Sequence, residues 1–244
     1  MTAHLVGFAG SVRLAVGPVV ALSADRGLPD TERASIFIVQ GRGPLRYLAE
    51  PFAHRTRARR VKQFLRLAGV DATTRIVDIG CGPSGLLGLA PGLNVTGVDI
   101  RSHDGYPGRL VCADATERLP FADNEFDLAY SSSVIEHISP ERRATFAHEV
   151  RRVARGWYVQ TPAFEFPIEP HSLLPAAHWL PRSVRRRYWR LGTSQDDPDE
   201  IYMMRQREME ALFGPAFPEV VGPFIKSWIC MRPPSPRASR GSGE

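Results

Sequence analysis

Lysine is almost missing from this chain. Of 31 basic side chains only Lys62 and Lys226 are lysines, so the net charge of +5 is an arginine excess. Arginine bias follows coding composition as readily as function, and the charge alone points to no nucleic-acid partner. Cysteine is scarce as well. Cys81, Cys112 and Cys230 are an odd number at wide spacing without a CxxC pair. That excludes a disulfide framework and a thiolate zinc site, and fits reduced thiols in a cytoplasmic protein. No long apolar run is free of charge. The best candidate, residues 5–22 (LVGFAGSVRLAVGPVVAL), has Arg13 at its middle and is broken by Gly17-Pro18. A central charge costs about 2.5–3.5 kcal/mol on insertion scales. No Lys or Arg precedes the run, so a signal peptide's basic region is missing, although Ala21-Leu22-Ser23 resembles a cleavage site. The segment reads as an apolar extension, a candidate for packing on the domain or for peripheral membrane contact.

What remains is an ordinary globular composition, 43% hydrophobic and 23% charged over 244 residues. One domain of this size buries roughly 70% of its unfolded surface and needs no disulfide or metal staple. Residues 233–244 are a Pro/Ser/Gly/Arg tail that cannot contribute to a core.

Apolar residues recur at helical spacing from Ala53 to Ala68, with Gly69 as the stop. A β-branched strand over 74–79 ends at Gly80, and a short helix is expected over 86–90. Further strands are expected at 95–100, 109–113, 126–130 and 157–161. Ser139 as N-cap, Pro140 and Gly156 bracket a helix between the last two. A helix near 199–213 and strands around 219–221 and 225–231 close the domain. Strands alternating with helices predict βαβ units and a parallel α/β sheet. Residues 162–197, rich in proline and aromatics, interrupt that rhythm.

Val77-Asp-Ile-Gly-Cys-Gly-Pro-Ser-Gly85 lies where a strand turns toward a helix. Gly80 and Gly82 let the backbone approach a ligand closely. The spacing Gly80-x-Gly82-x-x-Gly85 also satisfies the dinucleotide fingerprint, which is weak alone. Three acids decide. Asp78 precedes the glycines, where a carboxylate repels a pyrophosphate and suits an amine. Asp99 ends the second strand, where it can take both ribose hydroxyls. Asp114 follows the third, within reach of an adenine amino group. The ligand these acids fit has an amine, a ribose and an adenine, and no phosphate.

At this point the sequence resembles the class I S-adenosylmethionine-dependent methyltransferases of the type 11-like group. The resemblance rests on VDIGCGPSG (77–85), VTGVDI (95–100), CADATERLPFADNEFDLAYSSSVIEHI (112–138) and WYVQTP (157–162), and covers about residues 55–231. Ser84 stands where many members have glycine. The resemblance implies a Rossmann-like, doubly wound, mostly parallel seven-stranded sheet whose last strand is antiparallel. It implies an N-terminal extension (1–52), a methyltransferase domain (53–232) and a lid after strand five (162–197). S-adenosylmethionine is the implied cofactor, with its methionine part in the loop Gly80-Cys81-Gly82 and its ammonium near Asp78. Asp99 would bind the ribose, Ile100 would face the adenine, and Asp114 and Ala115 would bind the adenine's polar edge. Ser131 and Ser132 would line the transfer face.

A methyl group on a sulfonium is already activated, so the enzyme must align an acceptor and exclude water. No metal is required, and no metal-ligand spacing stands out; Glu169 and His171 alone make no metal site. A hydroxyl acceptor needs a base, for which His137, following Glu136, His171 with Glu169, and His178 are the candidates. The lid's arginines (182, 185, 186, 187 and 190) suit an anionic acceptor or are a solvated face. The expected activity is O-methylation of a small molecule such as a sugar, polyketide or lipid-linked metabolite. The alternative is RNA or DNA methylation, suggested by the arginines at 55–60 and 182–190. The Pro-Pro-aromatic signature of exocyclic-amine methylases is missing after strand four. A cofactor-binding module without catalysis and a nicotinamide oxidoreductase are the remaining alternatives.

Overall fold

The computed structural model describes residues 45–235, with side chains from residue 55 onward. The apolar run at 5–22 and most of the tail lie outside the described residues. A long helix, α1 (Leu45–Ala68), crosses the expected boundary at 52/53. Seven strands follow: β1 (Arg75–Ile79), β2 (Asn94–Asp99), β3 (Arg109–Cys112), β4 (Phe126–Ser132), β5 (Ala154–Pro162), β6 (Ala216–Val221) and β7 (Phe224–Arg232). They form one sheet in the order β3-β2-β1-β4-β5-β7-β6. All pairs from β3 to β5 are parallel, and β7 runs antiparallel to both its neighbours. This is the doubly wound, Rossmann-like α/β sheet. Its strand order reverses between β1 and β4, and a ligand crevice opens at the carboxyl ends of the strands on either side of such a switch.

Alternate residues of the central strands feed two cores, because a parallel sheet covered on both faces needs apolar side chains on both. Val77, Ile79, Val98, Ala129 and Val159 pack with Phe146 and Phe213 on one face. These come from α2 (Arg143–Val153) and α4 (Gln206–Phe213). Ile76, Leu128, Tyr130 and Tyr158 pack with Phe64 of α1 on the other. Asp78 shares the second face, since it is two residues beyond Ile76 on a period-two strand.

Several local expectations are corrected. Residues 86–90 form turns and no helix. Ser139 makes no side-chain cap; Pro140–Arg142 is a single 3-10 turn, and α2 begins only at Arg143. Gly156 is no helix stop. The chain passes straight from α2 into β5 at Ala154, and a Cβ on Gly156 would meet the backbone of Arg232 and Pro233 at 2.6–2.7 Å. Close approach of the β7 end explains the glycine. The last helix starts at Gln206, where Glu208 Oε2 accepts from the Arg205 amide at 2.8 Å and fixes its beginning, instead of near 199. Residues 162–197 are ordered around a short 3-10 turn (Ala177–Trp179) and α3 (Arg182–Trp189).

Candidate functional site

The three acids named from the sequence lie at neighbouring strand ends. Asp78 pairs in register with Gly97 of β2, and Asp99 with Cys112 of β3; Asp114 follows two residues later. Asp78 is buried, and its Oδ2 accepts from the Leu86 amide at 2.6 Å. Burial pushes its pKa up to about 7, the Leu86 bond opposes the rise, and the charge of Asp99 adds to it. Such a carboxyl is poised to ionise when a cation arrives. Asp99 Oδ2 accepts from the Gly82 amide at 2.9 Å and Oδ1 from the Arg101 amide at 3.0 Å, with His103 Nε2 3.5 Å from Oδ1. The second acid therefore holds the glycine loop of the first strand. Asp114 Oδ1 accepts from Thr116, and its Oδ2 pairs with Arg142 at 3.0 Å. Burial works against its charge, but these partners outweigh it and keep the pKa low.

Gly80 takes φ +74°, and a Cβ there would fall 2.3 Å from Val134. The turn is thus pressed against the segment leaving β4, a contact only glycine permits. Ile100 is 65% exposed at the end of β2, an apolar side chain standing in solvent beside Asp99. Ala115 is half-buried after Asp114. Cys81 is buried, and burial raises its thiol pKa, so it is a packing thiol. Tyr106 packs over Gly97 and the Cys81 sulfur, a contact between segments that no motif marks. A buried acid, a loop that tolerates no side chain at Gly80, and a free apolar surface beside a carboxylate fit the amine, ribose and adenine of S-adenosylmethionine.

Across the switch point, β4 ends in Ser131, buried with its hydroxyl unpartnered, and Ser132, whose Oγ donates to Gln160 Oε1 at 2.7 Å. The next turn, Ile135–His137, carries Glu136 and His137. The segment 162–197 brings Glu169 and His171 to the same place. His171 Nδ1 lies 2.6 Å from Glu169 Oε1, and the rings of His137 and His171 meet edge to face with centroids 4.9 Å apart. Glu169 is fully buried and its Oε2 also accepts from the His171 amide and from Ser172. Burial alone would favour the neutral forms. The mutual hydrogen bond and charge outweigh it, lowering the pKa of Glu169 and raising that of His171. Partial desolvation of its ring lowers the pKa of His137, although the residue as a whole is exposed. His178 stands apart, bonded to the Phe164 carbonyl. Glu136, Thr161 and Gln160 join this cluster without having been singled out as site residues; a polar residue at the buried end of a strand was the available signal.

Three arginines of the basic run at 182–190 share one acid. Asp199 pairs with Arg182, Arg185 and Arg186 at 3.2, 2.6 and 2.7 Å. A cavity of about 530 Å³ opens at the other edge of the sheet, lined by Arg75, Asn94, Asp127 and Arg155. It lies at the amino ends of the strands, away from the switch-point crevice. Its arginines face Asp127, so it presents no comparable chemistry.

Residues 77–156 match the family model described as methyltransferase domain. The chain is 28% identical over 185 residues to the Arabidopsis thaliana tRNA (carboxymethyluridine(34)-5-O)-methyltransferase. That match covers 72% of this chain and 43% of the relative, so the chain spans less than half of that protein's length. A crystal structure of a Pyrococcus horikoshii OT3 protein superposes with a TM-score of 0.51 at 18% identity, covering 86% of this chain and all (100%) of that one. A SAM dependent methyltransferase from Aquifex aeolicus gives a TM-score of 0.43 at 14% identity, covering 70% and 88%.

Proposed function

We propose that the chain is a class I S-adenosylmethionine-dependent methyltransferase, with S-adenosylmethionine as cofactor, and that it methylates an oxygen of a small-molecule acceptor. The observation that carries this reading is the pairing of two half-sites across the switch point. The acid-lined edge of β1–β3 stands on one side, and the Glu136, His137, Glu169 and His171 cluster on the other. Bound S-adenosylmethionine supplies a methyl group already activated by its sulfonium.

The chain's own residues then bind, orient and handle a proton. Gly80, Cys81 and Gly82 would hold the methionine part, with Asp78 toward its ammonium. Asp99 would bind the ribose, Ile100 would cover the adenine, and Asp114 with Ala115 would bind its polar edge. Ser131 and Ser132 would line the transfer face. The acceptor hydroxyl would lose its proton at the His137–His171 pair, with Glu169 orienting His171. Residues 162–197 would form the acceptor lid within a domain spanning 53–232, and we assign the protein to the cytoplasm. No helix among the described residues is long and apolar enough to cross a membrane.

A second reading, methylation of RNA, is favoured by the tRNA methyltransferase similarity. An oxygen acceptor is common to both. The engagement of Arg182, Arg185 and Arg186 by Asp199 supports the first. Incubation with methyl-labelled S-adenosylmethionine, in parallel with a metabolite extract and with total tRNA, tests the choice. Label in a small product supports the proposal; label only in tRNA replaces it with the second reading; label in neither refutes both.

A further inference from the structure

Glu136 is fully buried at 0% exposure, just after β4. Its Oε2 accepts from Thr161 Oγ1 at 2.9 Å, while its Oε1 is buried without a hydrogen-bond partner. An unpaired carboxylate oxygen in the interior is costly and calls for a partner. One ligand atom each from Glu136, His137 and His171 lie within 4.8 Å of one another. We propose that these three residues form a binding site for a divalent metal ion of the zinc, manganese or iron class.

Four observations converge on this. The donor set, one carboxylate oxygen and two imidazoles, is one that such ions take. The ligands have an outer shell. Glu169 engages His171 Nδ1, which leaves the other ring nitrogen to bind, and Glu169 is itself fixed by three further hydrogen bonds. Thr161 likewise fixes Glu136. Metal-binding histidines are characteristically oriented by such a carboxylate. Charge also favours a cation. Glu136 and Glu169 are both fully buried, and the hydrogen bonds they receive come from hydroxyls, amides and an imidazole. Arg143 feels the charge of Glu136, but its guanidinium bonds the carbonyls of Ile138 and Tyr202 and pairs with Glu208 at 3.6 Å. Finally, His137 is exposed, so the site opens to solvent and an acceptor oxygen can complete the coordination. Ligands about 2.0–2.2 Å from one ion stand about 3–3.6 Å apart, so closure asks for a shift of about 1 Å, for which exposed His137 has room.

The role of the ion, though not its binding, rests on the methyl-transfer reading. With the ion bound, His137 and His171 act as ligands and no longer as the base, and the coordinated hydroxyl gives up its proton to water. Its oxygen then forms the O–CH3 bond as the S–CH3 bond breaks with the electron pair left on sulfur; the metal keeps its oxidation state.

The test is a titration of the chelator-stripped full-length protein with Co(II), followed by its visible ligand-field bands and by calorimetry. One Co(II) per chain is expected, with Kd in the micromolar range or below. Glu136→Gln and His137→Gln should each weaken it at least tenfold. Glu169→Gln, a positioning variant, should weaken it by about 10–100-fold. Circular dichroism and S-adenosylmethionine affinity report whether each variant is folded. His137, being exposed, keeps the test decisive should Glu136→Gln not fold. No saturable Co(II) binding, or variants that bind as the wild type does, overturns the site. Co(II) binding without S-adenosylmethionine binding supports the site and refutes the methyltransferase reading. The reverse pattern refutes the site alone.

Discussion

The amide of Gly82 donates to Oδ2 of Asp99 at 2.9 Å, so the carboxylate at the end of β2 holds the turn that leaves β1. One residue thus shapes the loop and stands beside the exposed Ile100. The two duties can be separated. Asp99→Asn keeps an acceptor for the Gly82 amide but loses the charge. It should weaken S-adenosylmethionine binding about tenfold with little change in melting temperature. Asp99→Ala should weaken binding further and lower the melting temperature. Calorimetric titration with thermal melting checks both; unchanged affinity in both variants would remove Asp99 from the site.

Asp78 gives a pH dependence. Its folded pKa, pushed up to about 7 by burial, lies above the ordinary carboxylate value. The stability it contributes is full below about pH 4 and is lost as pH rises through 7. A bound cation favours the ionised form, so binding is coupled to proton release. Affinity for S-adenosylmethionine should therefore rise between about pH 5.5 and 8, and Asp78→Asn should flatten the rise. Titrations in buffers of different ionisation enthalpy measure the proton directly.

Glu149 and Arg152 of α2 form a buried pair at 2.6 Å, and Glu149 Oε2 also accepts from the Leu119 amide. Hydrogen bonds from Arg152 bring the Glu149 pKa down to about 2 against the opposing effect of burial. A lowered carboxylate contributes stability above about pH 4.5 that disappears as pH falls toward 2. Glu149→Gln should cost about 3 kcal/mol near neutral pH. The gap from the wild type should close in acid, as denaturant titrations at pH 7 and pH 3 would record.

The basic face of α3 depends on one acid, Asp199, paired with Arg182, Arg185 and Arg186. Asp199→Asn should free these guanidinium groups and raise tRNA affinity several-fold at low salt, with a steeper salt dependence. Methyl transfer to tRNA should not appear with it. Filter binding at two salt concentrations is the check; a wild type that binds tRNA as tightly as the variant would mean the arginines are already free.

β1 and β2 were legible because they are rich in β-branched residues and close at Gly80 and Asp99, and strand-end acids announce themselves by position. Asp78, Asp99 and Asp114 occupy neighbouring strand ends, as their spacing implied. Boundaries set by tertiary contact were hidden. Gly156 signalled a helix stop in isolation, yet it serves the approach of the β7 end. The turns at 86–90 had the composition of a helix but too few residues to nucleate one. The nearness of Glu136 to His171 depends on how the lid folds back after β5, and no spacing rule within one segment could reveal it.

The most direct measurement is a calorimetric comparison of S-adenosylmethionine with NAD on the wild-type protein. A strand edge lined by Asp78, Asp99 and Asp114 should bind one S-adenosylmethionine per chain at micromolar concentration and leave NAD unbound. Binding of NAD, or of neither nucleoside, would contradict it.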